Sequence, residues 1–106
     1  MANNPNHVIM VAGIVSAGME NYTKRFLNKL MAHSRQHDGC LIYNIHQSDK
    51  NPREFMMYSV WKTRDAFEKH NQTVEMQEFK QHLAKAMFDI QSPRTTWHLL
   101  EEKEED

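Results

Sequence analysis

Cysteine is nearly absent from this chain. Its 106 residues hold one, Cys40, so no internal disulfide is possible and the fold does not depend on an oxidising compartment. Charge of one sign is also lacking: 13 Lys and Arg stand against 14 Asp and Glu, a net charge of −1. No basic face is left for nucleic acid or an anionic membrane, and neither is expected as a partner. The apolar run Val8–Val15 is too short to span a bilayer. No Lys or Arg precedes it as in a signal peptide, and its valines and isoleucines suit a strand, so a cytoplasmic protein is expected. No G-x-G-x-x-G or Walker-type loop is found, and no nucleotide cofactor is expected. His33 and His37 are four residues apart and can clamp a metal, but no third ligand is evident and no metal is expected. Cys40 has no CxxC partner and reads as a buried structural thiol.

What is present suits one globular domain: 40% apolar and 25% charged residues over a length that allows a core with little to spare. Met1–Asn6 reads as a loose, flexible lead-in. His7–Val15 is β-rich and apolar at nearly every position, a strand buried on both faces, and Ser16-Ala17-Gly18 ends it. From Met19 to about His37 the apolar residues Met19, Tyr22, Phe26, Leu27, Leu30 and Met31 keep helical spacing, and Gly39 stops that helix. Two β-rich runs, 38–47 and 55–62, flank the turn Ser48–Glu54 and predict an antiparallel hairpin. Thr63 is placed to cap a short helix over Arg64–His70, and Thr73 to cap a second. In that second helix Met76, Phe79, Leu83 and Met87 form one stripe. Gln91-Ser92-Pro93 ends the helical region, and Thr95–Leu100 makes the last strand. Glu101–Asp106 reads as a disordered acidic tail, leaving 7–100 as the folded domain.

The order β-α-β-β-α-β predicts an α+β fold, a ferredoxin-like sandwich with helices on one face of a four-stranded antiparallel sheet. If Gln47 pairs near Phe55, one face of the hairpin carries Leu41, Tyr43, Ile45, Phe55, Met57, Ser59 and Trp61. The other carries Ile42, Asn44, His46, Met56, Tyr58 and Val60. Both faces are mostly apolar and one helical layer covers only one, so a partner subunit is expected over the second. Asn44 and His46 then read as polar groups of the interface or strand edge.

The ordered set Gly39-Cys40-x-x-Tyr43, Tyr58-x-x-Trp61-Lys62 and Ala66-Phe67-x-x-His70 resembles the antibiotic biosynthesis monooxygenase domain, over about residues 7–100. The resemblance implies a homodimeric α+β barrel with facing sheets. It also implies an activity that can be oxygenation of quinols or dihydroxy-aromatics without metal or flavin, haem degradation, or rearrangement of small phosphorylated molecules. The chain departs from the family at three places. Ser59 stands where many relatives have Glu, Glu75 stands where a second histidine is often found, and Val8–Val15 lacks the Asn of the haem-degrading branch.

On this basis the chain is expected to be a cofactor-independent monooxygenase of a quinol-like or phenolic aromatic, with molecular oxygen as co-substrate. His70 is the expected catalytic base, since such chemistry needs a group of near-neutral pKa at the phenolic proton in a sheltered pocket. As a plain helix-end residue it would only hydrogen-bond a backbone carbonyl. Tyr43, taken as catalytic, and Trp61 and Ser59, taken as substrate-binding, share its side of the hairpin. Trp61 can stack on a ring, Tyr43 can donate to its oxygen, and Ser59 can widen the pocket or hold a water. Tyr43 and Trp61 serve equally as core aromatics. Two other functions use the same pocket: non-catalytic binding of a small molecule, and isomerase-type chemistry on an oxygenated metabolite with His70 carrying the proton.

Overall fold

Backbone donors and acceptors of the β-rich runs need partners once buried, and pairing among the runs supplies them. The computed structural model describes residues 6–98 and 100, with side chains over 6–86 and at 96–98 and 100. The tail expected to be disordered at 101–106, and residues 1–5 of the expected lead-in, lie outside these. In chain order the elements are β1 (His7–Val15), α1 (Glu20–Ser34), β2 (Cys40–Gln47), β3 (Glu54–Trp61), α2 (Arg64–Asn71), α3 (Val74–Ala86) and β4 (Met87–His98). The strands form one antiparallel sheet in the order β2-β3-β1-β4. This is the ferredoxin-like α+β topology, with the second helix in two pieces as its two caps imply. Thr63 Oγ1 accepts from Ala66 N at 3.1 Å and Thr73 Oγ1 from Met76 N at 3.3 Å, each satisfying a first-turn donor that the helix cannot.

The hairpin register has Gln47 opposite Phe55 and Tyr43 opposite Ser59. Every second residue therefore meets the helices. Ile9, Tyr43 and Trp61 from the sheet join Leu27, Leu30, Phe67, Met76 and Phe79 in one core, with Ile45, Phe55 and Met57 packed against it. Removing each large helix side chain from water contributes about 1.5–3 kcal/mol. The other face carries Val8, Val60, Met10, Tyr58, Ile42 and Trp97 by the same alternation; Ile42 is 40% and Trp97 56% exposed.

Two features differ from the sequence expectation. Strand alternation places Leu41 on the helix side, yet it is 53% exposed. The register shifts between Cys40 and Ile42, so Cys40 stands opposite Trp61 and packs against the core while Leu41 is the extra residue of a bulge. The last strand begins at Met87 rather than Thr95. Residues 87–92 pair with β1 from Val15 to Ala12, and the register slips between Met10 and Ala12 to take up Pro93, which an edge strand tolerates at an irregularity. Without this pairing half of β1 would lack a neighbour on one side. Met87, expected on the α3 stripe, thus belongs to the strand.

Between α1 and β2 the chain turns at Gly39, whose φ is +83°, and a Cβ built there would lie 2.5 Å from Ala66 Cβ. The turn is thereby pressed against the first turn of α2. His37, two residues before Gly39, lies in the same turn, and its ring meets that of His70 in α2.

Candidate active site

His70 is the next-to-last residue of α2 and its side chain points into the protein; the residue is only 2% exposed. The helix ends there because Thr73 takes over the carbonyl of His70, through both its amide at 3.1 Å and its hydroxyl at 2.8 Å. The ring itself does not serve a backbone carbonyl. His70 Nδ1 lies 3.0 Å from Nδ1 of His37, in the turn that follows α1. Trp61 is tilted 34° over the His70 ring at a centroid separation of 4.6 Å, and Tyr43 meets it edge-on at 5.7 Å. Nε2 of His70 is buried with no hydrogen-bond partner among the described residues.

The contact and the unpartnered nitrogen favour one placement of the proton. A 3.0 Å contact between two ring nitrogens requires one donor and one acceptor. A buried N–H without a partner is rarer than a buried acceptor without one. The arrangement that avoids the orphan donor has His70 donating through Nδ1–H to His37, which leaves Nε2 as a bare lone pair inside the aromatic cluster. Burial, followed by the positive charge that His37 and His33 would carry, holds the His70 pKa down at about 4, against 6.5 for a free histidine. The base expected near neutrality is thus neutral throughout the physiological range, and correspondingly weak.

Tyr43 is buried, and its phenol is raised above the ordinary value, burial being the main cause. Its hydroxyl donates to Met57 Sδ at 3.4 Å, a weak acceptor that a substrate oxygen would displace at little cost. Trp61 donates its indole N–H to Ser59 Oγ at 3.1 Å, with both residues fully buried. Ser59 therefore serves Trp61, in the position where the family resemblance implies a carboxylate. Arg35, at the end of α1, fixes β2: Nε donates to the Tyr43 carbonyl at 2.9 Å and a terminal nitrogen to Asn44 Oδ1 at 2.8 Å. Asn44 is thus a strand-edge group, and His46 is exposed.

A cleft of about 740 Å³ opens beside this cluster, lined by His37, His70, Lys62, Thr63, Lys69 and Thr73 among others. A second cavity of about 80 Å³ lies between sheet and helices, lined by apolar groups including Val11, Leu27, Ile45, Phe55, Met57 and Phe79. Tyr43, Ser59 and Trp61 line neither. Of the four expected site residues, then, His70 alone reaches the cleft, and the other three form the closed wall behind it. His37 is the residue that sequence reasoning leaves without a role, since a metal clamp with His33 is considered there and set aside. The two rings do meet, 4.4 Å apart and edge to face, and His33 Nε2 faces Glu75 at 3.5 Å. Among the described residues no three His, Cys, Asp or Glu side chains are placed to hold a metal ion. Cys40 is free and half-buried, and its thiol is pushed up by burial despite the Arg35 charge, so it is a poor nucleophile. No described helix is long and apolar enough to cross a membrane.

Known structures share this architecture. A protein of Pseudomonas aeruginosa superposes with a TM-score of 0.84 at 22% identity, over 95% of this chain and 100% of its own. A Nitrosomonas europaea protein provisionally described as an antibiotic biosynthesis monooxygenase gives 0.82 at 21% identity, over 98% and 99%. One from Deinococcus radiodurans with the same provisional description gives 0.82 at 19%, over 94% and 98%. At such identities the likeness establishes the fold alone. No curated protein matches the sequence. The sequence model of one family covers residues 7–82, from β1 through most of α3, and so takes in the hairpin, the Gly39–Ala66 contact and His70. By that match the chain belongs to the antibiotic biosynthesis monooxygenase family.

Proposed function

We propose that the chain is a monooxygenase that oxidises a quinol-like or phenolic aromatic with molecular oxygen and no resident prosthetic group, with His70 as the base. The observation that carries this reading is the placement of His70: a buried imidazole whose Nδ1 lies 3.0 Å from His37 Nδ1, whose Nε2 has no hydrogen-bond partner among the described residues, and whose ring packs against those of Trp61 and Tyr43. Oxygen reacts with an aromatic once the ring is electron-rich, and loss of the phenolic proton to Nε2 makes it so. For a phenol with an open para position, the ring carbon then bonds oxygen. The O–O bond breaks, one oxygen stays as the quinone carbonyl, and the other leaves as water with the phenolic and the ring hydrogen.

The energetics set a condition. Moving a proton from a phenol of pKa about 10 to a histidine at about 4 is uphill by roughly 8 kcal/mol. A phenolate in contact with the imidazolium returns about 1–4 kcal/mol of that. The remainder fits within the barrier of about 16 kcal/mol that ten turnovers per second allows. Tyr43, neutral at all working pH values, supplies a hydrogen bond to the phenolate oxygen. Because Nε2 is sealed, a substrate ring reaches it by displacing a neighbour, and the aromatic cluster is the wall that has to yield.

The enzyme is also proposed to be a homodimer covering the exposed sheet face, and to work in the cytoplasm, where a lone thiol such as Cys40 stays reduced. A second reading, binding without turnover, draws on Trp61 and Ser59 satisfying each other in a closed core. Oxygen consumption with a panel of dihydroxynaphthalenes separates the two. Turnover that falls about a hundredfold or more in a folded His70→Ala variant is the expected result. Binding without oxygen uptake favours the second reading, and full activity of His70→Ala removes His70 from the chemistry.

A further inference from the structure

We infer that His37 is the working partner of His70: it fixes the tautomer that leaves Nε2 bare, and it carries the substrate proton between the buried base and the open cleft. The tautomer rests on the ring contact and the unpartnered Nε2, whereas the proton path rests on the functional reading above. Nε2 of His70 is buried, and deprotonating a phenol there creates a proton that cannot stay on so weak a base. His37 is half-exposed and lines the cleft of about 740 Å³, and its Nδ1 lies 3.0 Å from that of His70. It therefore joins the sealed nitrogen to solvent across a single imidazole.

The sequence of transfers balances. The substrate O–H proton bonds to His70 Nε2 while the proton on His70 Nδ1 passes to His37 Nδ1, and His37 releases its Nε2 proton to water in the cleft. When the O–O bond breaks, the departing oxygen takes the proton from His70 Nε2. His70 recovers its Nδ1 proton from His37, and His37 takes one from water at Nε2. Both rings end as they began, and the oxidant throughout is molecular oxygen.

The surroundings favour transit over storage. From α1, His33 faces His37 edge-on, and from α3 Glu75 faces His33. On His37 burial acts first, then His33, both holding its pKa down, with Glu75 partly opposing them. Tyr43 of β2 stays neutral beside His70, while Asp38 and Asp65 line the cleft together with Lys62 and Lys69. No described carboxylate touches His37 to trap the proton on it.

The test is nitrogen-15 NMR of histidine-labelled full-length protein at neutral pH, wild type against His37→Phe, with His70→Gln to assign the signals. The wild type is expected to show His70 protonated at Nδ1 and bare at Nε2, and His37→Phe to move the proton to Nε2. His37→Gln serves if the phenylalanine variant does not fold. A wild-type His70 protonated at Nε2, or a tautomer unchanged by either variant, overturns the inference. On a phenol that the wild type oxidises, His37→Ala should lose roughly tenfold to a hundredfold in turnover and regain it with added imidazole, which fits the open cleft. His70→Ala should not be rescued, because an imidazole entering from the cleft has no helix to hold one nitrogen toward the closed aromatic cluster. Rescue of both or of neither overturns the transfer role. If the wild type oxidises no phenol, the functional reading fails while the NMR result still decides whether His37 holds His70.

Discussion

Gly39→Ala tests the contact on which the site is built. Gly18 provides the control, because both glycines have similar positive φ, +87° and +83°, but a Cβ at Gly18 would meet nothing within 4 Å. Gly18→Ala should thus cost only the left-handed backbone, about 1 kcal/mol once the stiffer unfolded chain is credited. Gly39→Ala adds a 2.5 Å overlap with Ala66 Cβ, an overpacking cost of about 1–3 kcal/mol, for a total of about 2–4 kcal/mol. Ala66→Gly removes the obstructing atom and alone costs up to about 1 kcal/mol in helix propensity. In the double variant the next atoms, Lys62 Cβ at 3.8 Å and Ala66 Cα at 4.0 Å, are in ordinary contact. The double variant should therefore be more stable than the sum of the singles predicts, by about 1–3 kcal/mol. Urea unfolding with unchanged m-values reads each term. Equal costs at Gly18 and Gly39, with no coupling to Ala66, would refute the close approach.

Acid should expose the burial of His70. Its folded pKa of about 4 lies below the unfolded 6.5, so its contribution is complete above pH 6.5 and is lost as pH falls toward 4. A gap of about 2.5 units amounts to about 3 kcal/mol; the stability difference between wild type and His70→Gln should shrink by that amount, and a difference independent of pH would contradict the burial. Ser59→Ala leaves the Trp61 indole N–H buried without an acceptor and should cost about 1–3 kcal/mol in denaturant titration, an effect that should largely vanish in a Trp61→Phe background. Covering the exposed sheet face should bury about 1,000 Å² per subunit; sedimentation equilibrium should show a dimer at micromolar concentration, and a monomer there would rule it out.

Much of the framework could be read from the chain because its signals are local. Thr63 and Thr73 cap helices a few residues away, and a seven-residue turn between alternating strands leaves few registers, so the assumed pairing of Gln47 near Phe55 matches the one observed. The errors arose where distant pairing decides. The bulge at Leu41 depends on how Cys40 meets Trp61, and the early start of β4 depends on the unpaired side of β1. Pro93 marked an irregularity inside a strand and not the end of a helix. The site divides the same way. His70 stood out by its place after Ala66-Phe67, whereas His37 and His70 are 33 positions apart, and only the Gly39 turn brings them together.

The Arg35 clasp has a consequence for assembly. β2 is a border strand of the sheet, and an outward row of free carbonyls and amides there would template strand addition and aggregation. Arg35 occupies the Tyr43 carbonyl and the Asn44 side chain in the middle of that border, and the Leu41 bulge distorts its start. An incoming strand would have to evict a charge-assisted hydrogen bond before forming its own. Edge-to-edge addition on the β2 side is thereby disfavoured, which is consistent with the proposed dimer using the broad apolar face instead.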